Sequence, residues 1–194
     1  TPTIQTSYGI FGQATYSLTD SLRVTGGIRY SHDEKKLTGG GTRQQQGAIY
    51  DPQTDIEFPS RAHRSWSRTT WRAGLDYDLD TRTLLYATVS TGYKAGSFND
   101  GADGITPDEQ IYYKPEMLTS YEVGFKTRTA DNKLRLQGSA FYYDYKDLQL
   151  SFIGTFNGIP AGITTNAGKA RIKGIELEGL VMPSLRNRLD FSIS

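Results

Sequence analysis

The stretch LRVTGGIRY, residues 22–30, alternates between two kinds of side chain without a break. Its even-numbered positions are apolar or glycine, whereas its odd-numbered positions include Arg23 and Arg29. Successive side chains of a β-strand point to opposite faces, so the pattern predicts a strand with one apolar and one polar face. The same period of two recurs at residues 8–18, 71–79, 85–93, 121–127, 134–142, 170–178 and 189–193.

The connections between these segments alternate in length. Short, turn-like connections lie at residues 19–21, 78–81, 129–132 and 182–187, and long polar loops are predicted at about 38–66, 97–118 and 151–166. Antiparallel strands joined in this way have tight turns at one end of the sheet and long loops at the other. The predicted fold class is therefore all-β, an antiparallel up-and-down meander of about eight strands.

The apolar positions of these segments contain no Asp, Glu, Lys or Arg, although such residues make up 22% of the chain. A Lys or Arg that faces lipid at the bilayer midplane costs about 2–4 kcal/mol, but the core of a soluble sheet excludes charge as well. Gly, Ala and Thr are frequent on this face and aromatic residues crowd the strand ends, which favours lipid over a densely packed core. We expect a transmembrane barrel, and a soluble up-and-down barrel is the alternative.

The opposite face is strongly polar and of mixed charge. Such a face suits a small salt-bridged barrel or a large lumen that contacts a polar plug. The charged residues predicted to face the lumen are Arg23, Arg29, Arg72, Asp76, Glu122, Lys126, Arg135, Glu176 and Glu178.

The alternation changes phase once, within NAGKARIKGIELEG, residues 166–179. Ala170 and Ile172 occupy one parity, whereas Ile175 and Leu177 occupy the other. A β-bulge inserts one residue and keeps each face in place, and glycine suits its backbone angles. We therefore predict a bulge at Gly174 that leaves all four apolar residues facing lipid. A register kink above the membrane plane is the alternative.

Composition excludes several other classes of protein. The net charge is +1, which does not suggest a nucleic-acid partner, and the absence of cysteine excludes disulfides and Cys-based metal sites. No apolar run approaches the roughly 20 residues of a membrane helix. No residue is predicted to be catalytic, to bind a cofactor or to bind a metal, so we do not expect an enzyme.

Four segments, in this order and spacing, resemble one known family: YATVSTGYKAGSFN (86–99), YYKPEMLTSYEVGFKT (112–127), LRLQGSAFYYDYKDLQL (134–150) and NAGKARIKGIELEG (166–179). Together they are similar to the central-to-late barrel of TonB-dependent outer-membrane receptors. The resemblance implies a 22-stranded barrel with an N-terminal plug domain. Residues 1–194 are then a partial barrel domain without the plug, that is, a fragment whose end strands are unpaired edges.

The same resemblance implies a function. The chain is expected to belong to an active transporter of the bacterial outer membrane, with ferric-siderophore uptake favoured and cobalamin or a glycan as alternative substrates. The implied partners are outer-membrane lipid, the plug domain, a TonB-type energy-coupling protein reached through the plug, and a small ligand such as an iron chelate. A complete eight-stranded barrel with a structural or adhesive role is the alternative function.

Loops on a rigid barrel are the natural place for ligand recognition. A basic and aromatic group suited to an anionic chelate comprises Arg61, His63, Arg64 and Trp66, and residues suited to an aromatic ligand are Phe98, Tyr112, Tyr113, Phe152 and Phe156. The alternative interpretation is that these residues are membrane-interface anchors and solvated loop charges.

Overall fold

A computed structural model describes residues 3–43, 56–99, 112–156, 159–184 and 187–194, and this part of the chain is built from β-strands. No described helix is long and apolar enough to cross a membrane. The strands are β1 (Thr3–Ser17), β2 (Leu22–Arg43), β3 (Ile56–Asp78), β4 (Thr83–Lys94), β5 (Ser97–Phe98), β6 (Tyr112–Tyr113), β7 (Glu116–Arg128), β8 (Leu134–Lys146), β9 (Gln149–Phe156), β10 (Ile159–Asn166), β11 (Lys169–Ser184) and β12 (Asn187–Ile193).

Eight of the strands form one antiparallel sheet in the order β1-β2-β3-β4-β7-β8-β11-β12. This confirms the predicted eight-stranded meander. The remaining four strands form two small hairpins, β5–β6 and β9–β10, within the long connections. Within the described residues β1 pairs only with β2, and β12 pairs only with β11. The eight strands therefore form an open sheet, which does not match the alternative of a closed eight-stranded barrel.

Across the middle of the sheet, the register places the apolar positions of neighbouring strands on one face. Directly paired residues share a face, so a row of pairs can be followed from strand to strand. One row runs Tyr16, Val24, Leu75, Ala87, Val123, Ala140 and Ile175. The neighbouring row on the other face runs Ser17, Arg23, Asp76, Tyr86, Gly124, Ser139 and Glu176. The sheet is therefore two-faced across its whole width.

The apolar face has no covering layer in the described part of the chain. Ile10 and Ile175 are each 74% exposed, and Leu189 is 61% exposed. The buried hydrophobic residues of the described chain are Leu37 and Ala62, which lie beyond the apolar rows. An apolar surface of this extent requires an apolar environment outside this segment.

The predicted bulge at Gly174 is wrong. β11 pairs with β8 in one unbroken register from Lys169 opposite Lys146 to Val181 opposite Leu134, and Gly174 lies opposite Phe141. Ala170 and Ile172 therefore lie on the face opposite Ile175. Lys173 and Ile175 share one face of β11. That face is basic up to Lys173 and apolar from Ile175 onward, so the hydrophobic pattern shifts although the backbone register does not.

Gly174 instead makes room for an aromatic ring on the paired strand. A Cβ atom at this position would lie 2.6 Å from Cζ of Phe141, too close for a real contact. The same relation joins glycines to the aromatic residues directly opposite them, in the pairs Gly138–Phe125, Gly124–Tyr86 and Gly179–Phe191. Rings that cover cross-strand glycines restore the packing that a glycine lacks.

The long connections contain more strand than the loops predicted from sequence. Residues 38–43 and 56–66 of the predicted 38–66 loop extend β2 and β3, and β9 and β10 occupy most of 151–166. β5, β6 and the start of β7 lie within 97–118, while residues 44–55, 100–111 and 157–158 lie outside the described part. The apolar alternation ends before these extensions begin, yet backbone pairing continues, so periodicity did not reveal them.

We expect Gly174→Ala to destabilise the barrel by about 1–3 kcal/mol, the usual range for overpacking. The measurement is urea-dependent unfolding of the full-length receptor in lipid, followed by tryptophan fluorescence. Gly26→Ala is the matched control, because a Cβ atom at Gly26 meets nothing within 4 Å. The double variant F141A/G174A should lose less stability than the sum of its single variants. Equal losses for G174A and G26A would contradict the role assigned to Gly174.

Candidate functional site

The candidate site lies at the end of the sheet where the long connections meet. There β2 and β3 extend beyond the apolar rows, and Leu37 pairs with Ala62. Phe98 of β5 and Tyr112 of β6 pack against this buried pair. The β5–β6 hairpin therefore folds onto the face of β2 and β3 that carries Leu37 and Ala62.

Three aromatic rings contact one another in turn at this hairpin, and an arginine contacts the last of them. The ring centroids of Trp66 and Phe98 are 6.3 Å apart, and those of Phe98 and Tyr112 are 5.2 Å apart in an edge-on arrangement. The guanidinium carbon of Arg64 lies 4.1 Å from the centroid of the Tyr112 ring, which is a cation–π contact. Gly96 allows the close approach of Trp66, because a Cβ atom there would lie 2.8 Å from Cζ2 of that indole.

Three side-chain amides fasten the two hairpins to each other. Asn99, 7% exposed, donates from Nδ2 to the Thr164 carbonyl at 2.8 Å and accepts at Oδ1 from the Thr164 amide at 2.7 Å. Asn166 makes the same reciprocal pair with the backbone of Lys114, at 2.9 and 2.7 Å. Gln149 donates to the carbonyls of Ala95 and Lys114, each at 3.0 Å. The hairpins are therefore held in a defined arrangement.

The β9–β10 hairpin leaves the main sheet at a pair of unusual backbone conformations. Asp147 has φ 54° and Gly168 has φ 95°, both in the left-handed region that Asp and Gly tolerate best. Backbone hydrogen bonds from Leu148 N to Gly168 O and from Ala167 N to Leu148 O join the two sides. The chain bends at Asp147 and Gly168, and this bend separates the β9–β10 hairpin from the paired strands β8 and β11.

Two cavities adjoin at Tyr113, at the end of the sheet that carries the long connections. The first, of about 450 Å³, is lined by Arg64, Tyr112, Tyr113, Lys114, Asp147, Thr164, Thr165 and Asn166. The second, of about 530 Å³, is lined mainly by polar residues, with Arg29, Lys35 and Lys94 as its basic side chains and Asp33 as its acidic one. Their walls therefore carry more basic than acidic side chains, which favours an anionic ligand.

Burial affects two titratable groups in the second cavity. Desolvation lowers the pKa of the Lys35 ammonium, an effect that Asp33 opposes. Desolvation raises the pKa of the Tyr93 hydroxyl, and the Asp33 carboxylate raises it further. Both groups lie beyond the apolar rows of the sheet, and Tyr93 pairs with Met117 near the long-connection end of β4 and β7. These two side chains are therefore partly shielded from water.

The structure brings together five of the residues predicted to contact ligand: Arg64, Trp66, Phe98, Tyr112 and Tyr113. It separates His63 from them, because His63 lies on the opposite face of β3, where its Nε2 is 2.8 Å from Oε1 of Glu34. Lys36 and then His63 lower the pKa of the Glu34 carboxyl.

Of the other three residues predicted to contact ligand, the structure describes the side chain of Phe152 alone. Phe152 lies in β9 opposite Ile163 and is 52% exposed. Arg61 pairs with Thr38, but its side chain and that of Phe156 lie outside the described part of the structure. Sequence reasoning missed the amides of Asn99, Gln149 and Asn166, since isolated Asn and Gln residues in polar loops carry no periodic signal.

All nine charged residues predicted to face the lumen share the polar face of the sheet. Among these nine, Arg23 forms an ion pair with Asp78, and Glu122 accepts a hydrogen bond from the Tyr86 hydroxyl at 2.6 Å. A cavity of about 730 Å³ lies at the short-turn end, where its charged lining includes Lys126, Arg128 and Glu178.

Comparison with known proteins adds independent information. A family model described as TonB dependent receptor-like, beta-barrel, matches residues 1–193. The pesticin receptor of Yersinia enterocolitica is 30% identical over 173 residues, which cover 87% of this chain and 22% of that protein. The vitamin B12 transporter BtuB of Photobacterium profundum is 26% identical over 181 residues, covering 85% of this chain and 29% of that protein.

A solved structure matches the fold over nearly the whole chain. The ferric yersiniabactin uptake receptor FyuA from Yersinia pestis superimposes with a TM-score of 0.72 and 25% identity, covering 98% of this chain and 27% of that one. The present chain thus spans less than a third of the length of each of these three relatives.

We expect Asn99→Ala to release β10 from the β5–β6 hairpin. The substitution leaves the Thr164 amide and carbonyl without their partner, a loss of about 1–3 kcal/mol. Hydrogen exchange of the Thr164 amide in the full-length receptor should accelerate about tenfold or more. Ser151→Ala is the control, since it removes an exposed hydroxyl contact to the same threonine and leaves that amide bonded. Unchanged exchange in N99A would contradict the proposed fastening.

Proposed function

Because this chain belongs to the TonB-dependent receptor β-barrel family, we propose that it forms part of an outer-membrane barrel that takes up an anionic ferric chelate. The family consists of transport receptors, and its barrels reside in the bacterial outer membrane. For this chain we propose the same location and a transport role without catalysis.

The two-faced sheet supports an orientation in the bilayer. The uncovered apolar row from Tyr16 to Ile175 suits lipid, and the charged row that includes Arg23 and Glu176 suits a hydrated lumen. In such barrels lipid-facing and lumen-facing positions alternate, and short turns lie on the periplasmic side. The long connections and the two adjoining cavities then lie at the cell surface.

The observation that carries the substrate class is the first cavity. Its volume of about 450 Å³ is within the usual range for small-molecule sites. Arg64 and Lys114 supply positive charge beside the rings of Tyr112 and Tyr113, a combination that suits an anionic chelate with aromatic groups. Such a lining favours a ferric siderophore over the uncharged alternatives among the possible substrates.

The short-turn end of the sheet supports the proposal that the barrel contacts a plug domain. The cavity of about 730 Å³ there has basic and acidic side chains from β3, β7, β8, β11 and β12. A polar surface of mixed charge suits contact with a plug domain of the same receptor. Through that plug the barrel would be coupled to a TonB-type protein.

The experiment is ligand titration of the full-length receptor, with quenching of tryptophan fluorescence as the signal. The probes are ferric yersiniabactin, a ferric tris-catecholate and vitamin B12. We expect at least one ferric chelate to bind, and R64Q/K114Q to weaken its binding by about tenfold or more. Reduced binding follows from the loss of two cations in the first cavity.

His63→Gln is the matched control, because His63 lies in the same strand as Arg64 but on the opposite face. Its affinity for the chelate should equal that of the unsubstituted receptor. Binding of vitamin B12 with no binding of either ferric chelate would overturn the substrate class. Equal effects of R64Q/K114Q and H63Q would show that the first cavity is not the binding site.

A further inference from the structure

We propose that Lys146, Lys169, Arg171 and Lys173 form a binding surface for the phosphate groups of an anionic lipid headgroup. We name these four side chains the basic patch. The proposal rests on the function proposed above, since it requires the apolar face of the sheet to lie in a bilayer. It concerns the face of β11 that carries Ile175, and none of the four residues lines either ligand cavity.

The register places the basic patch on the apolar face. Lys169 lies opposite Lys146, and Arg171 lies opposite Asp144. Lys173 is in the same strand, and two residues further along, on the same face, comes Ile175, which is 74% exposed. Side chains on one face of a strand are about 6.6 Å apart, so the cations of β11 span about 13 Å. The patch thus borders the apolar surface directly.

Aromatic residues mark the same boundary. Tyr142 lies opposite Lys173, and Tyr121 lies opposite Tyr142 in the next strand. The centroids of these two tyrosine rings are 6.2 Å apart. Tyr at the headgroup level and basic side chains just beyond it are the arrangement expected at a membrane–water interface. The basic patch therefore lies at the depth of the headgroups.

The charge of the patch is poorly balanced by the protein itself. Asp144 is the acidic residue within the group, and its Oδ1 lies 3.6 Å from Nε of Arg171. In the described part of the chain, none of the three lysines has a carboxylate within ion-pair distance. All four basic residues are exposed. An external anion can therefore approach three ammonium groups and a guanidinium.

The position of the patch favours a lipid over a soluble anion. A soluble anion gains nothing from a continuous apolar surface, whereas an anionic lipid places acyl chains on Ile175 and Leu177 and its phosphates on the cations above them. By contrast, other charges on this face are paired within the protein, as Glu34 is with Lys36 and His63. The basic patch thus differs from these paired charges in its net positive charge and in its position beside the apolar surface.

The test uses the full-length receptor in neutral detergent, titrated with lipid A, a glycolipid with two phosphates, and followed by native mass spectrometry. We expect K169Q/R171Q/K173Q to weaken lipid A binding by about tenfold or more. The charge-conserving variant K169R/R171K/K173R should bind within about threefold of the unsubstituted receptor. Binding should also weaken as salt is raised.

A matched control removes three basic residues at the short-turn end, R82Q/R128Q/K133Q, and should leave lipid A binding unchanged. Unchanged affinity of K169Q/R171Q/K173Q for lipid A, or an equal loss of affinity in the control, would show that the basic patch is not the lipid-binding surface. Competition by inorganic phosphate at millimolar concentration, as effective as competition by added lipid A, would assign the patch to a soluble anion and overturn the lipid assignment.

The same samples separate this proposal from the function on which it rests. Ferric chelate binding by K169Q/R171Q/K173Q should match that of the unsubstituted receptor, because none of the three substituted residues lines either cavity. Loss of lipid A with retained chelate binding supports the patch. If the unsubstituted receptor binds lipid A at the patch but no ferric chelate, the patch stands and the proposed substrate class fails.

Discussion

A backbone that crosses lipid has to satisfy its amides and carbonyls within the protein, and its lipid-facing side chains have to be apolar. The six inner strands of the sheet meet both requirements through one antiparallel register, which keeps alternate residues of all eight strands on a common face. The row from Tyr16 to Ile175 and the row from Ser17 to Glu176 differ by a single residue along each strand. A slip of one residue in any strand would turn its charged set towards lipid.

The same register also positions the polar parts of the molecule. Where β2 and β3 continue past the apolar rows, the face that carries Leu37 and Ala62 provides a base for the β5–β6 hairpin. Trp66, Phe98 and Tyr112 pack there, and the amides of Asn99, Gln149 and Asn166 fasten the second hairpin to the first. The residues proposed to bind a ligand are thus held by strands and hydrogen bonds, which would limit the entropy lost on binding.

The sequence predicted the strands and their faces because period two is a local signal, visible in segments such as residues 22–30. It failed where the answer depended on a partner strand. Gly174 suggested a bulge in isolation, but Phe141, more than thirty residues earlier in the chain, is the reason for a glycine there. Likewise His63 and Arg64 are neighbours in sequence, yet the extension of β3 places them on opposite faces. The amide contacts joined residues such as Asn99 and Thr164, whose proximity no local pattern encodes.

The most direct test of this account is a cysteine scan of residues 172–177 in the full-length receptor, reconstituted in liposomes and labelled with a fluorophore. The unsubstituted chain has no cysteine in this segment to interfere. Quenchers attached to lipid acyl chains should act on labels at 175 and 177, while water-soluble quenchers should act on labels at 172, 174 and 176. Lipid quenching at both 172 and 175 would show that the strand changes phase at Gly174, which contradicts the unbroken register.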